Sequence, residues 1–258
     1  MARIVLIILA ALAIVTGIVF AADPALDIDG ADFFRDMAIQ PATIPLAEAL
    51  EFLRNTGPLL TLAVIAPAVV ALVMKLFWPH RRAPMSIRAA LFLILSLTLG
   101  PGLLVNHVLK EKWARPRPVT VLAGEHAFMP WWDPRGACDT NCSFVSGETS
   151  TAVWLAAPAV LAPPPWRTAA LGAVAVYASG MSFQRMLMGA HYPSDVLFAA
   201  IFTALVIWAV HGLLYRWPAA RVTDAALDVA FARIGSAILR PFSARWRRIR
   251  TEKPSPPT

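Results

Sequence analysis

Between Gln184 and Asp195 the chain reads Gln-Arg-Met-Leu-Met-Gly-Ala-His-Tyr-Pro-Ser-Asp, setting an arginine, a histidine and a carboxylate between two strongly apolar stretches. Ionisable residues in such a place are functional candidates by default. A neutral imidazole, with an ordinary pKa of about 6.5, can attack phosphorus, and a carboxylate one helical turn on can orient it. An arginine fork matches phosphate oxygens. Arg185, His191 and Asp195 therefore contain most of a phosphoryl-transfer site. The bland reading is a helix end at which Arg185 snorkels and His191 only caps.

Two upstream segments carry related chemistry. In the first, Lys110 and Arg117 bracket a stretch stiffened by Pro116 and Pro118, which suits fixed phosphate ligands, while Lys112 and Arg115 read as interfacial anchors. In the second, Cys142-Ser-Phe-Val-Ser-Gly-Glu148 leads into an apolar run. Ser146 is a candidate N-cap, Gly147 permits close backbone approach, and free amides of the first turn make an anion site. Taken alone, this could equally be an ordinary cap with Glu148 complementing the helix dipole.

The elements that must position these residues are membrane helices. With 58% hydrophobic and 15% charged residues, the chain is too apolar for an ordinary soluble domain. Six stretches are candidate spans, at about 4–22, 58–78, 89–107, 148–162, 168–186 and 193–215. The expected fold is all-α, one six-span bundle over 1–216 followed by a basic tail over 217–258. Arg81, Arg82 and Arg88 after the second span, and the basic residues from Arg216 onward, are cytoplasmic signatures. The loop from Asp23 to Gly57 has seven acids against Arg35 and Arg54, which puts it outside and both termini inside. Its apolar residues suit a surface helix that Pro41 and Pro45 break into pieces. The first span reads as an uncleaved anchor, the alternative being a secretory signal ending near Ala21. The tail, through Arg245-Trp-Arg-Arg-Ile-Arg250, suits anionic lipid rather than nucleic acid.

Against that topology, the loop between spans three and four is unexpectedly positive for an outer face, and an anionic headgroup would explain it. The combined spacing resembles the type 2 phosphatidic acid phosphatase superfamily, membrane branch. Lys110, six residues, Arg117 and Pro118 match its first motif, Ser146 and Gly147 the core of its second, and Arg185, five residues, His191, three residues and Asp195 its third. The resemblance implies a metal-independent and cofactor-independent phosphatase. His191 would form a phosphohistidine, with Asp195 on its other ring nitrogen; Lys110, Arg117, Arg185, the Ser146 hydroxyl and the Gly147 amide would bind phosphoryl oxygens.

This chain departs from the family pattern at Val145 (usually Pro), Gln184 (commonly Ser) and Glu148 (usually His). A carboxyl of raised pKa could protonate the leaving oxygen and activate water; alternatives are a good leaving group or an impaired enzyme. The Cys142–Glu148 wording, with Leu99-Gly-Pro-Gly-Leu-Leu-Val-Asn106, resembles bacterial lipid A phosphatases, particularly the 1-phosphatases. That implies a lipid substrate on the outer leaflet of the bacterial inner membrane, with the site facing the periplasm. Undecaprenyl diphosphate or phosphatidylglycerol phosphate as substrate, a lipid phosphotransferase, and a non-catalytic lipid-binding or transport protein are the rival readings. Cys138 and Cys142, the only cysteines, could pair in an oxidising compartment. Trp113, Phe128, Trp131 and Trp132 read as interfacial anchors, and His80, His107, His126 and His211 as structural.

Overall fold

The computed structural model describes residues 2–79, 81–217 and 223–251, with side chains to residue 238 in the last stretch. His80 and the side chains of the basic run at 245–250 lie outside the described residues. Among the described residues every regular element is a helix. α1 (Ala2–Ala22) is apolar on all faces, and only Thr16 and Phe20 are buried, while Ile4, Ile7, Ile14 and Ile18 stay exposed. Lipid, not water, is the solvent that fits such a surface.

Among the described residues, four helical stretches are long and apolar enough to cross a membrane: Ala2–Ala22, Pro41–Phe77, Ile87–Lys112 and Pro193–Arg216. They overlay the first, second, third and sixth expected spans. The second starts earlier than its sequence suggested. After α2 (Ala25–Ala38) and a 3-10 turn (Pro41–Thr43), α3 runs unbroken over Ile44–Phe77, with Pro45 in its first turn and Pro58 and Pro67 inside it. A proline is harmless in a first turn, where its missing N–H is not needed. The fourth expected span breaks at Leu155 into α7 (Gly147–Trp154) and α8 (Ala156–Leu161), and the fifth lies within the more polar α9 (Pro164–Leu187).

The third stretch is α4 (Ile87–Leu97), a π-helical segment (Thr98–Leu109) and a single turn, α5 (Lys110–Lys112). Pro101 sits inside the π segment and cannot donate a ladder bond, and the Asn106 amide donates to the Pro101 carbonyl at 2.8 Å. α6 (Pro118–Leu122) follows in the long loop, then α10 (Pro193–His211) closes the site after α9.

α7 lies at the centre, against α9, α10 and the π segment. Hydroxyls tie it in place: Ser150 to Thr203 at 2.6 Å and Thr149 to Ser182 at 3.1 Å, while the Trp154 indole donates to Ser96 at 3.0 Å. In an apolar surround each such bond contributes about 0.6 kcal/mol. α11 (Asp224–Thr251) docks on α3, with Lys75 2.7 Å from Asp228.

Candidate active site

The turn from α9 to α10 carries the central residues. Arg185 is in the last turn of α9, and Pro193 opens α10, where its fixed φ suits the first helical position. Asp195 then falls in the first turn of α10, where one carboxylate oxygen accepts the Tyr192 amide at 3.0 Å. Asp195 is fully buried, and accepts from Arg115 Nη1 at 2.5 Å and from the Ser143 hydroxyl at 2.5 Å.

His191 is 1% exposed. Its Nδ1 is 2.7 Å from the Ser143 carbonyl oxygen. A carbonyl only accepts, so Nδ1 carries the hydrogen and the neutral ring keeps its lone pair on Nε2. Nε2 has no hydrogen-bond partner among the described residues and lies 3.9 Å from Glu148 Oε2. The expectation that Asp195 takes the second ring nitrogen needs correction: its Oδ2 is 3.8 Å from Nδ1, beyond hydrogen-bond range. Asp195 reaches the ring through Ser143, whose hydroxyl holds the carboxylate while its carbonyl holds the imidazole. Burial pushes the His191 pKa below its ordinary value, opposed by the charge of Asp195.

The cations gather around Glu148, which stands beside the open side of this ring. Arg185 Nε is 3.7 Å from Glu148 Oε2 and has no hydrogen-bond partner among the described residues. Lys110 lies within electrostatic reach of Glu148, Arg117 and Arg185. Arg117, the N-cap of α6, donates from Nε to the Asn141 carbonyl at 2.9 Å, leaving the rest of its fork free of bonds to described residues. Ser146 caps α7, accepting the Thr149 amide at 3.3 Å. A Cβ on Gly147 would stand 2.7 Å from the Asn106 carboxamide oxygen, so no larger residue fits without displacing Asn106. The site thus faces the amide end of α7, where anions are favoured.

A cleft of about 520 Å³ lies between α3, the π segment, α7 and α9, and of the site residues Lys110, Gly147 and Glu148 line it, whereas His191, Arg117 and Arg185 do not. Lys110, Glu148 and Arg54 give it a charged end; Leu62, Ile65, Leu155 and Met181 line an apolar wall. One charged end and one apolar wall suit an amphiphile with an anionic head.

Sequence reasoning missed several partners. Arg115, read as an anchor, is fully buried and bridges Asp195 to Asp27 of α2, its Nη2 donating to Asp27 Oδ2 at 2.8 Å. The Arg-Pro-Arg-Pro run hinted at a rigid presentation, but no local signal pairs Arg115 with an acid in an apparent surface helix. Ser143 lies three residues ahead of the Ser146 cap and carries no helix-start signal of its own. Trp113 and Trp131 also turn inward, packing with Phe144 and Phe198, and Phe128 packs on Tyr192, whereas Trp132 is 41% exposed. Cys138 and Cys142 are disulfide-bonded directly ahead of Ser143.

The model of the PAP2 superfamily, the type 2 phosphatidic acid phosphatases, matches residues 89–219, just over half of the chain. The chain belongs to the PAP2 superfamily. The matched region holds all three motifs, whereas Asp27 and Arg54 lie outside it. This PAP2 chain is 41% identical over 132 residues to the lipid A 4'-phosphatase of Francisella tularensis subsp. novicida (strain U112), covering 50% of this chain and 60% of that one. It is 40% identical over 116 residues to the lipid A 4'-phosphatases of Rhizobium etli and Rhizobium leguminosarum, covering 44% of this chain and 45% and 49% of theirs. The chain spans about half the length of the curated relatives it matches. These relatives carry the 4' designation, not the 1-phosphatase designation that the motif wording suggested. No solved structure matches the chain.

Proposed function

We propose that this PAP2 protein is a multi-pass membrane lipid phosphatase that hydrolyses a phosphate monoester of lipid A, the 4'-phosphate ahead of the 1-phosphate, through a phosphohistidine on His191. The observation that carries the reading is the buried His191, held by Ser143 in the tautomer whose free Nε2 faces Glu148 and Arg185. The relatives' names support lipid A and favour the 4' position. A sugar 4-hydroxyl is a poorer leaving group than an anomeric one, which gives acid assistance more to do.

In the proposed first step Nε2 attacks phosphorus, the P–O ester bond breaks, and the Glu148 carboxyl gives its proton to the departing oxygen. Lys110, Arg117 and Arg185, with the Ser146 hydroxyl and Gly147 amide, hold the phosphoryl oxygens. Once those oxygens engage Arg185 and Lys110, Glu148 loses part of the positive surround that favours its ionised form. In the second step Glu148 takes a proton from water, the water oxygen attacks phosphorus, the N–P bond breaks and phosphate leaves. Asp195, through Ser143, stabilises the positive ring while phosphorus is attached.

Charge distribution supports six spans with both termini cytoplasmic, the site on the periplasmic face of the bacterial inner membrane and residues 217–258 as a basic tail on anionic lipid. The bilayer and the lipid substrate are then the partners, not nucleic acid. The test is to incubate the purified protein in micelles with lipid A bearing both phosphates, and to identify products by mass spectrometry and phosphorus NMR. Loss of the 4'-phosphate, abolished by His191→Ala, is the expected result. Loss of the 1-phosphate alone would move the position. No release from lipid A, undecaprenyl diphosphate or phosphatidylglycerol phosphate would sink the phosphatase reading.

A further inference from the structure

Behind the His191 ring lies a buried ionic cluster in which Asp195 meets Arg115 and Asp27, two residues that are not among the matched positions of the three motifs. Arg115 donates from Nη1 to Asp195 and to Ser194 Oγ (3.0 Å), from Nη2 to Asp27, and from Nε to the Met129 carbonyl (2.8 Å). Its guanidinium lies over the Tyr192 ring, 4.2 Å from the centroid. Asp27 also accepts from the Ser194 amide at 3.0 Å and the Ser194 hydroxyl at 2.7 Å. Arg115, Asp27, Ser194 and Asp195 are all 0–1% exposed. Close approach is built in: a Cβ on Gly30 of α2 would stand 2.7 Å from Pro193 Cγ.

Packing alone explains this poorly. Burying three ionisable groups is costly, burial pushing the Asp27 carboxyl above its usual range against the pull of Arg115, and apolar side chains of similar volume would hold α2 to α10 at least as well. What the cluster adds is control of Asp195. A guanidinium bonded to Asp195 alone would neutralise it; one shared with Asp27 fixes its position and leaves it charge to place behind the imidazole.

Resting on the phosphatase reading above, we propose that Arg115 and Asp27 are positioning residues of the catalytic centre. Arg115 holds Asp195 behind His191, and Asp27 holds Arg115 and divides its charge. The outer helix α2, which the family match does not include, thereby belongs to the catalytic unit. The charged groups facing His191 are Asp195 from α10, Glu148 from α7 and Arg185 from α9, with Lys110 and Arg117 around Glu148.

The test combines phosphate release from lipid A with histidine nitrogen NMR on the full chain in micelles, the His191 signal being identified by its loss in His191→Ala. For Arg115→Gln, Asp195 regains its full charge, so His191 should titrate at higher pH, with kcat down at least about tenfold and KM within about twofold. For Asp27→Asn, Arg115 neutralises Asp195 more completely, so His191 should titrate at lower pH, with kcat down about three- to tenfold. Arg115→Lys keeps the charge and should return the titration toward wild type while recovering only part of kcat. Opposite shifts are the signature that a purely structural role would not give. If Arg115→Gln does not fold, the near-isosteric Asp27→Asn decides alone. Unchanged kcat and titration in Asp27→Asn, or shifts in the same direction, would overturn the proposal. Failure of the wild-type protein to release phosphate would count against the phosphatase reading only, because the NMR arm needs no turnover.

Discussion

The Nδ1 of His191 and the carbonyl oxygen of Ser143 stand 2.7 Å apart, so a backbone group fixes which ring nitrogen is left to act as nucleophile. The hydroxyl of the same serine donates to Asp195 at 2.5 Å. One residue therefore aligns both members of the dyad. Ser143→Ala keeps the carbonyl and removes the hydroxyl. It should lower kcat about tenfold and stability by about 1–2 kcal/mol, through an unsatisfied lone pair on a buried carboxylate. Phosphate release and thermal unfolding of the variant check both; an unchanged kcat would show that Asp195 acts without Ser143.

Acid pH should silence the site by protonating His191. Burial lowers this imidazole's pKa below its ordinary 6.5, so the acid limb of kcat/KM should lie below pH 6.5. The stability effect has a definite sign. Between the folded and unfolded pKa values the unfolded chain binds more protons, so stability falls as pH drops below about 6.5 and the loss is complete at the folded pKa. Thermal unfolding of wild type and His191→Phe across this range would read it, the variant being the flatter.

Glu148 is the carboxyl beside Nε2, and both proposed steps use it. Glu148→Gln should cut kcat about 100-fold with KM within about threefold, general acid–base help being worth that much. Rapid acid quench with radiolabelled lipid tells the steps apart: labelled protein accumulates if water attack has become slower. Glu148→His, which restores the usual superfamily residue, should recover much of the loss. An unaffected Glu148→Gln would mean that the leaving group departs unassisted.

The disulfide encloses Asn141, whose carbonyl accepts from Arg117, and ends one residue before Ser143. Opening it should loosen a phosphate ligand and the dyad support together. Replacing both Cys138 and Cys142 by Ser is expected to raise KM about threefold or more and to lower kcat, pre-organisation being lost rather than a contact. Kinetics with and without reductant check this. A KM indifferent to both treatments would show that the loop holds its shape unaided.

Much of the site was legible because its parts lie at helix ends with short, fixed spacings. Lys110 and Arg117 around prolines, Ser146 and Gly147 at an N-cap, and Arg185, His191 and Asp195 across one turn can each be read within a dozen residues. Arg115 could not be read that way. Its partner Asp27 sits in an acidic stretch whose composition describes a surface helix, and only tertiary packing turns one of its carboxylates inward. Fold was similarly divided. Of the six stretches that apolar length marks as spans, four coincide with membrane-length helices among the described residues; hydropathy did not disclose the break at Leu155, nor the π segment around Pro101, because it is blind to how many residues make a turn.

The cleft between α3, α7 and α9 is lined on the α3 side by the exposed Leu62, and Leu59 of the same helix is exposed as well, an apolar surface that suits lipid. For the lipid phosphatase proposed above, arrival and departure would be lateral, within the leaflet. Turnover would follow the mole fraction of phosphorylated lipid in the membrane rather than its amount per volume. Adding inert lipid at constant total substrate would slow the reaction by surface dilution, and the dephosphorylated product, still anchored by its acyl chains, would linger as a competitor.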